Sequence, residues 1–294
     1  MSDLQWSQVE PARQPLPAPA QLVQEEEVLQ VQDPRSDPSP EYKYSQQANS
    51  RARRAAKKQP PNNKKSCSLF IQTDPLLWNH IREQEGSDSK TQEEILSIIA
   101  QHVKAVNRIY GDTEFAAGTY SHTGHTFQVN RIKILNQTDC EGKPKNPFCL
   151  NNIDVSNFLN LHSKTDHQDF CLAYVLTYRD FTGGTLGLAW VASASGASGG
   201  ICEKYKTYTE NVNGIHHTAQ RSLNTGIITF VNYNARVPPK VSQLTLAHEI
   251  GHNFGSPHDY PAECRPGGGR GNYIMFASAT SGDRDNNNKF SPCR

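Results

Sequence analysis

No stretch of 18 apolar residues occurs in the 294-residue chain, which excludes a membrane-spanning helix. A charged start followed by an apolar run is also missing, so no secretory leader is expected. Neither sign of charge dominates. Thirty Lys and Arg against 29 Asp and Glu leave a net charge of +1, too little to attract nucleic acid as a bulk polyanion. No two of the seven cysteines stand in a CxxC pair, which argues against a cysteine-based zinc site or a thioredoxin-like motif. Hydrophobic residues make up only 35% and mean hydropathy is −0.68, low for a chain folded along its whole length.

The shortage is concentrated at one end. Residues 1–65 contain no glycine, cysteine, isoleucine or phenylalanine, yet hold nine of the 18 prolines. Such a composition cannot bury enough apolar surface to offset its ordering entropy, and reads as disordered. Within it Arg51, Arg53 and Arg54 form a basic cluster on exposed backbone of the kind a processing protease grips; a plain solvated charge run is the alternative. Residues 66–294 hold every phenylalanine, isoleucine and cysteine, ample for one core. Dispersed cysteines point to disulfides and an oxidising compartment, and an odd count leaves one without a partner in the chain. Disulfides without a leader are reconciled if the chain is a fragment, incomplete at its C-terminal end, of a longer secreted or membrane-anchored protein.

Hydrophobic periodicity predicts alternating strands and helices, hence an α/β or α+β architecture. Strands are expected at 67–73, 127–135, 172–178, 185–191 and 226–232. A helix is expected at 91–110, where Ile95, Ile98, Ile99, Val103, Val106 and Tyr110 recur at three- and four-residue steps, and Gly111 ends it. Further helices are expected at 155–163 and from Pro238-Pro239 onward through Phe254.

That last helix carries HEIGHNFGSPHD. His248 and His252, four apart, face the same side of a helix and supply half of a tetrahedral zinc site. Gly255 can take the positive φ that turns the chain back, so that His258 adds a third imidazole and a fourth position stays open for water. Glu249 then reaches that water as general base. In a chain of this composition HExxHxxGxxH arises by chance on the order of 10⁻⁴ times or less. Met275, in Tyr273-Ile274-Met275 after a glycine-rich stretch, fits the Met-turn of metzincins. A glutamate ligand on a later helix is rejected, because Glu263 is the nearest downstream candidate and sits in a proline-rich loop.

HEIGHNFGSPHD, NYIM, ATSGD and NNNKF, together with VPPKVS, SLNTGIITF, LGLAWV and SGGICEK, resemble the adamalysin (ADAM) metalloproteases of the Kuzbanian or alpha-secretase type, over roughly residues 66–294. The resemblance implies a metzincin catalytic domain with a twisted, mostly parallel five-stranded sheet, an antiparallel edge strand and a zinc helix below the cleft. It implies one catalytic zinc ion and a sheddase at the extracellular face of the plasma membrane or in the secretory pathway. Its substrates would be ectodomains of membrane proteins, Notch-like and amyloid-precursor-like among them. It strengthens the reading of Arg51–Arg54 as a processing site. It also implies the disulfides Cys67–Cys171 and Cys264–Cys293, with the partner of Cys202 beyond this chain. Cys140 and Cys149 depart from the family pattern, and a local bridge between them is expected. Asn136 heads a glycosylation sequon. The competing readings are a secreted reprolysin-like matrix protease and an inactive binding module.

Overall fold

The structure is a computed structural model that describes residues 4–5, 66–117, 120–142, 146–192, 199–212 and 215–293. Apart from Leu4–Gln5, which bridge to Ser278–Ala279, residues 1–65, with Arg51, Arg53 and Arg54, lie outside the described residues. So does the expectation of disorder there.

A five-stranded sheet organises the chain. Its strands are β1 (Ser66–Thr73), β2 (Thr126–Ile134), β3 (Leu172–Thr177), β4 (Gly187–Ala189) and β5 (Thr225–Thr229), in spatial order β2-β1-β3-β5-β4. The first three pairings are parallel. The last is antiparallel, matching Gly187 to Ile228 and Ala189 to Gly226. β3 and β5 are buried throughout, as their continuous apolar runs require of central parallel strands.

Side chains of these strands alternate between two layers. Tyr174, Leu176 and Ile228 join the larger core cluster. Val175 and Ile227, one residue out of phase, join a smaller one with Phe158, Leu159, Phe148 and Phe181. The larger layer is closed by α1 (Pro75–Glu85), α2 (Asp88–Gly111) and α4 (Pro239–Asn253), and the smaller by α3 (Val155–Ser163). Helix α2 presents Ile95, Ile99, Val103, Val106 and Tyr110 to the core. It begins at Asp88, three residues before the expected start, because Ser87 caps it by accepting from the Lys90 amide.

The structure departs from the sequence reading in several places. The expected strand at 185–191 shortens to Gly187–Ala189. The expected strand at 226–232 breaks after Thr229: Val231–Asn232 turns out to pair with Ala235–Arg236. The turn residues Tyr233 and Asn234 have φ of 50° and 58°, as a two-residue hairpin demands. The Asp180 carboxylate accepts from both turn amides. Helix α1 and the hairpin of Lys206–Val212 with Ile215–Arg221 were not expected.

Asp74 explains α1. Its side chain caps the helix by accepting from the Leu77 amide at 3.0 Å. Its other oxygen accepts from Thr177 Oγ1 at 2.6 Å and Arg179 Nε at 2.9 Å. Arg179 also donates to the carbonyls of Phe148 and Leu150 and lies over the Phe158 ring. This buried ion pair ties the end of β3 to the loop around Cys149.

Candidate metal centre

Helix α4 is buried almost from end to end, which is why its sequence shows no clean amphipathic stripe. It starts at Pro239, whose fixed φ suits the first turn. Its flank is tied to α2 by Tyr110, which donates to the Ala247 carbonyl at 2.9 Å, and by His102, whose Nε2 lies 2.8 Å from Ser242 Oγ. It ends at Asn253, and Gly255 follows with φ of 91°. The Gly255 amide donates to the His252 carbonyl and the Ser256 amide to the Gly251 carbonyl, turning the chain back over the helix.

That turn brings His258 beside His248 and His252. One nitrogen from each ring lies within 4.8 Å of the others, and the three together can hold a metal ion. Two rings are oriented by backbone: His248 Nδ1 lies 2.7 Å from the Ile274 carbonyl, and His252 Nδ1 lies 2.7 Å from the Ser256 carbonyl. A carbonyl only accepts, so each Nδ1 carries the proton and each Nε2 keeps a lone pair. His248 Nε2 and His258 Nε2 approach to 3.2 Å. Two ring nitrogens that close share a proton or face a common cation, so the donor set fits a zinc-type ion. Burial first, then the neighbouring His252 and His258, push the His248 pKa well below the usual imidazole value, which keeps that ring neutral and ligand-competent.

Glu249 is buried at 2% exposure, and its Oε2 has no hydrogen-bond partner. Burial alone pushes its pKa well above the usual carboxylate range. A bound cation would act in the opposite sense. Met275 is fully buried and lies against the helix: a Cβ built on Gly251 would fall 2.5 Å from its Sδ. The Met275 carbonyl accepts from the Asp259 amide, and Ser291 Oγ donates to Asp259 Oδ1 at 2.8 Å. His258 is therefore flanked by a residue anchored to the same loop that carries Met275.

A model of the metallo-peptidase family M12B, reprolysin-like, matches residues 89–294. The chain belongs to that family. As a reprolysin-like metallopeptidase it is 56% identical over 237 residues to the disintegrin and metalloproteinase domain-containing protein 10 homolog of Caenorhabditis elegans. It is 50% identical over 237 residues to the human disintegrin and metalloproteinase domain-containing protein 10. Both alignments cover 78% of this chain, but only 25% and 29% of those proteins. An archaemetzincin from Methanopyrus kandleri aligns over 70% of this chain and 82% of its own, at 11% identity and a TM-score of 0.36, a likeness too loose to carry weight. The adamalysin resemblance and the metzincin arrangement of sheet and edge strand both hold.

Three disulfides are present: Cys67–Cys171, Cys140–Cys149 and Cys264–Cys293, with Cα separations of 5.2, 5.7 and 6.1 Å. Cys202 is unpaired and exposed. Cys67–Cys171 fastens β1 to the start of β3, and Cys264–Cys293 closes the loop containing Met275. Asn136 is half-buried, and its side-chain oxygen accepts from the Thr138 amide.

Sequence reasoning missed Tyr174 and Asn253. Tyr174 donates to Asn253 Oδ1 at 2.5 Å, and Asn253 Nδ2 donates to the carbonyls of Trp190 and Thr225 at 2.9 and 3.3 Å. The Ala192 amide donates to the His252 carbonyl. The edge strand is thus pinned to the end of the histidine helix. The only signal was a lone Tyr174 inside an otherwise apolar run.

Proposed function

We propose that this chain is the catalytic unit of a zinc metalloendopeptidase, with His248, His252 and His258 holding the ion and Glu249 as general base. One observation carries the reading: three converging imidazoles, two of them aimed by backbone carbonyls, beside a buried carboxylate with an unpartnered oxygen. When bound, zinc polarises the scissile carbonyl and acidifies water. Glu249 takes a proton from the attacking water as oxygen bonds to the carbonyl carbon, then delivers it to the amine as the C–N bond breaks. The backbone of β4, the antiparallel edge, is positioned to pair with an extended peptide.

The finer reading is that of a sheddase of membrane-protein ectodomains, working at the extracellular face of the plasma membrane or in the secretory pathway. It is supported by the adamalysin likeness and by three disulfides, which persist in oxidising compartments. No described helix is long and apolar enough to cross a membrane. Processing after Arg51–Arg54 belongs to the same proposal. The test is metal content with cleavage of a quenched juxtamembrane peptide, with and without chelator. One zinc per chain and chelator-sensitive cleavage are expected; cleavage that ignores the chelator would refute the reading.

A further inference from the structure

Gly187 lies in β4, and its φ is outside the left-handed region, so no backbone strain explains a glycine there. Space does. A Cβ built on Gly187 would fall 2.6 Å from Glu249 Oε1, 2.7 Å from its Cγ and 2.8 Å from its Cδ. Side chains do not approach that closely; an alanine at this position would need the Glu249 carboxylate to move. One of its two oxygens, Oε2, has no hydrogen-bond partner to hold it. β4 is in turn held in place: Gly187 pairs with Ile228, and Asn253 and His252 fasten the residues after β4 to the end of α4.

We propose that Gly187 is a positioning residue for the reaction: its bare Cα is the wall that sets where the Glu249 carboxylate rests. The proposal rests on the reading of Glu249 as general base. The edge strand would then have two tasks, offering backbone to the peptide and placing the base. A methyl group added to that wall would push the carboxylate aside by an ångström or so, and a misplacement of that size costs about 100-fold in turnover.

The test is Gly187→Ala in the zinc-loaded enzyme, alone and combined with Glu249→Asp. We expect Gly187→Ala to lower kcat about 100-fold while KM stays within about twofold. Zinc content and Tm should remain those of wild type, because a flexible side-chain end yields rather than the fold. Glu249→Asp retracts the carboxylate by one methylene, so adding Gly187→Ala in that background should cost no more than about threefold, the non-additivity expected of two groups in contact. A crystal structure of Gly187→Ala without metal should show the Glu249 carboxylate swung away and β4 in place. Wild-type turnover in Gly187→Ala, a rise in KM with kcat unchanged, or the same loss in both backgrounds would overturn the assignment while leaving Glu249 as the base. A wild-type enzyme without chelator-sensitive turnover would overturn the parent reading, and the assignment with it.

Discussion

Two of the buried carboxylates, Asp74 and Glu249, are treated in opposite ways. Asp74, fully buried, has a guanidinium, a hydroxyl and a helix-cap amide around it. Burial raises its pKa, and Arg179 opposes that most strongly. Glu249, also buried, has an oxygen with no partner, and burial alone raises its pKa. Burying an unsatisfied carboxylate is costly, and a fold keeps one only where something else needs it. The satisfied carboxylate holds the structure; the unsatisfied one is the proposed general base.

The comparison breaks most visibly under paired isosteric changes. Glu249→Gln should lower peptide cleavage by about 10³-fold, within the range of general acid–base catalysis, while Tm stays level or rises because a charge-bearing group leaves the interior. Asp74→Asn should do the reverse, costing about 3–5 kcal/mol of stability by leaving Arg179 buried and unpaired, with kcat unchanged in the remaining folded enzyme. Kinetics and denaturant unfolding of the two variants decide it; the same loss of both properties in both variants would erase the distinction.

Buried histidines sharpen it through pH. Burial lowers the pKa of His102 and of His167 from 6.5 to about 4, and that of His162 well below 6.5. The unfolded chain therefore takes up protons first. Stability is fully present above about pH 6.5 and is lost as pH falls toward 4, by about 1.4 kcal/mol per pH unit for each residue at the steepest. Tm measured from pH 7.5 to 4.5 should fall, and His102→Gln with His167→Gln should flatten the slope. The smallest effect expected is from Ser87→Ala, which removes the α2 cap for about 1 kcal/mol without changing kcat.

The central elements were legible because their signals are local. A three- and four-residue period marks α2, and the HExxHxxGxxH spacing marks α4 with its turn at Gly255. What escaped depends on distance in space. Asp74 looks like any loop aspartate until Arg179, 105 residues later, arrives beside it. β4 was overextended because its ends are set by where β5 stops pairing, and β5 was overextended because the positive-φ turn at Tyr233-Asn234 has no glycine to announce it. Gly187 gave no sign, since a glycine in a strand does not reveal which side chain occupies its missing volume.

The most direct test is zinc-edge X-ray absorption on the wild-type chain and Glu249→Gln. The account predicts about three imidazole nitrogens near 2.0–2.1 Å plus one oxygen, with no sulfur, and the same shell in both proteins. A sulfur scatterer near 2.3 Å, or loss of an oxygen ligand in Glu249→Gln, would contradict it, for Glu249 or a cysteine would then be holding the metal.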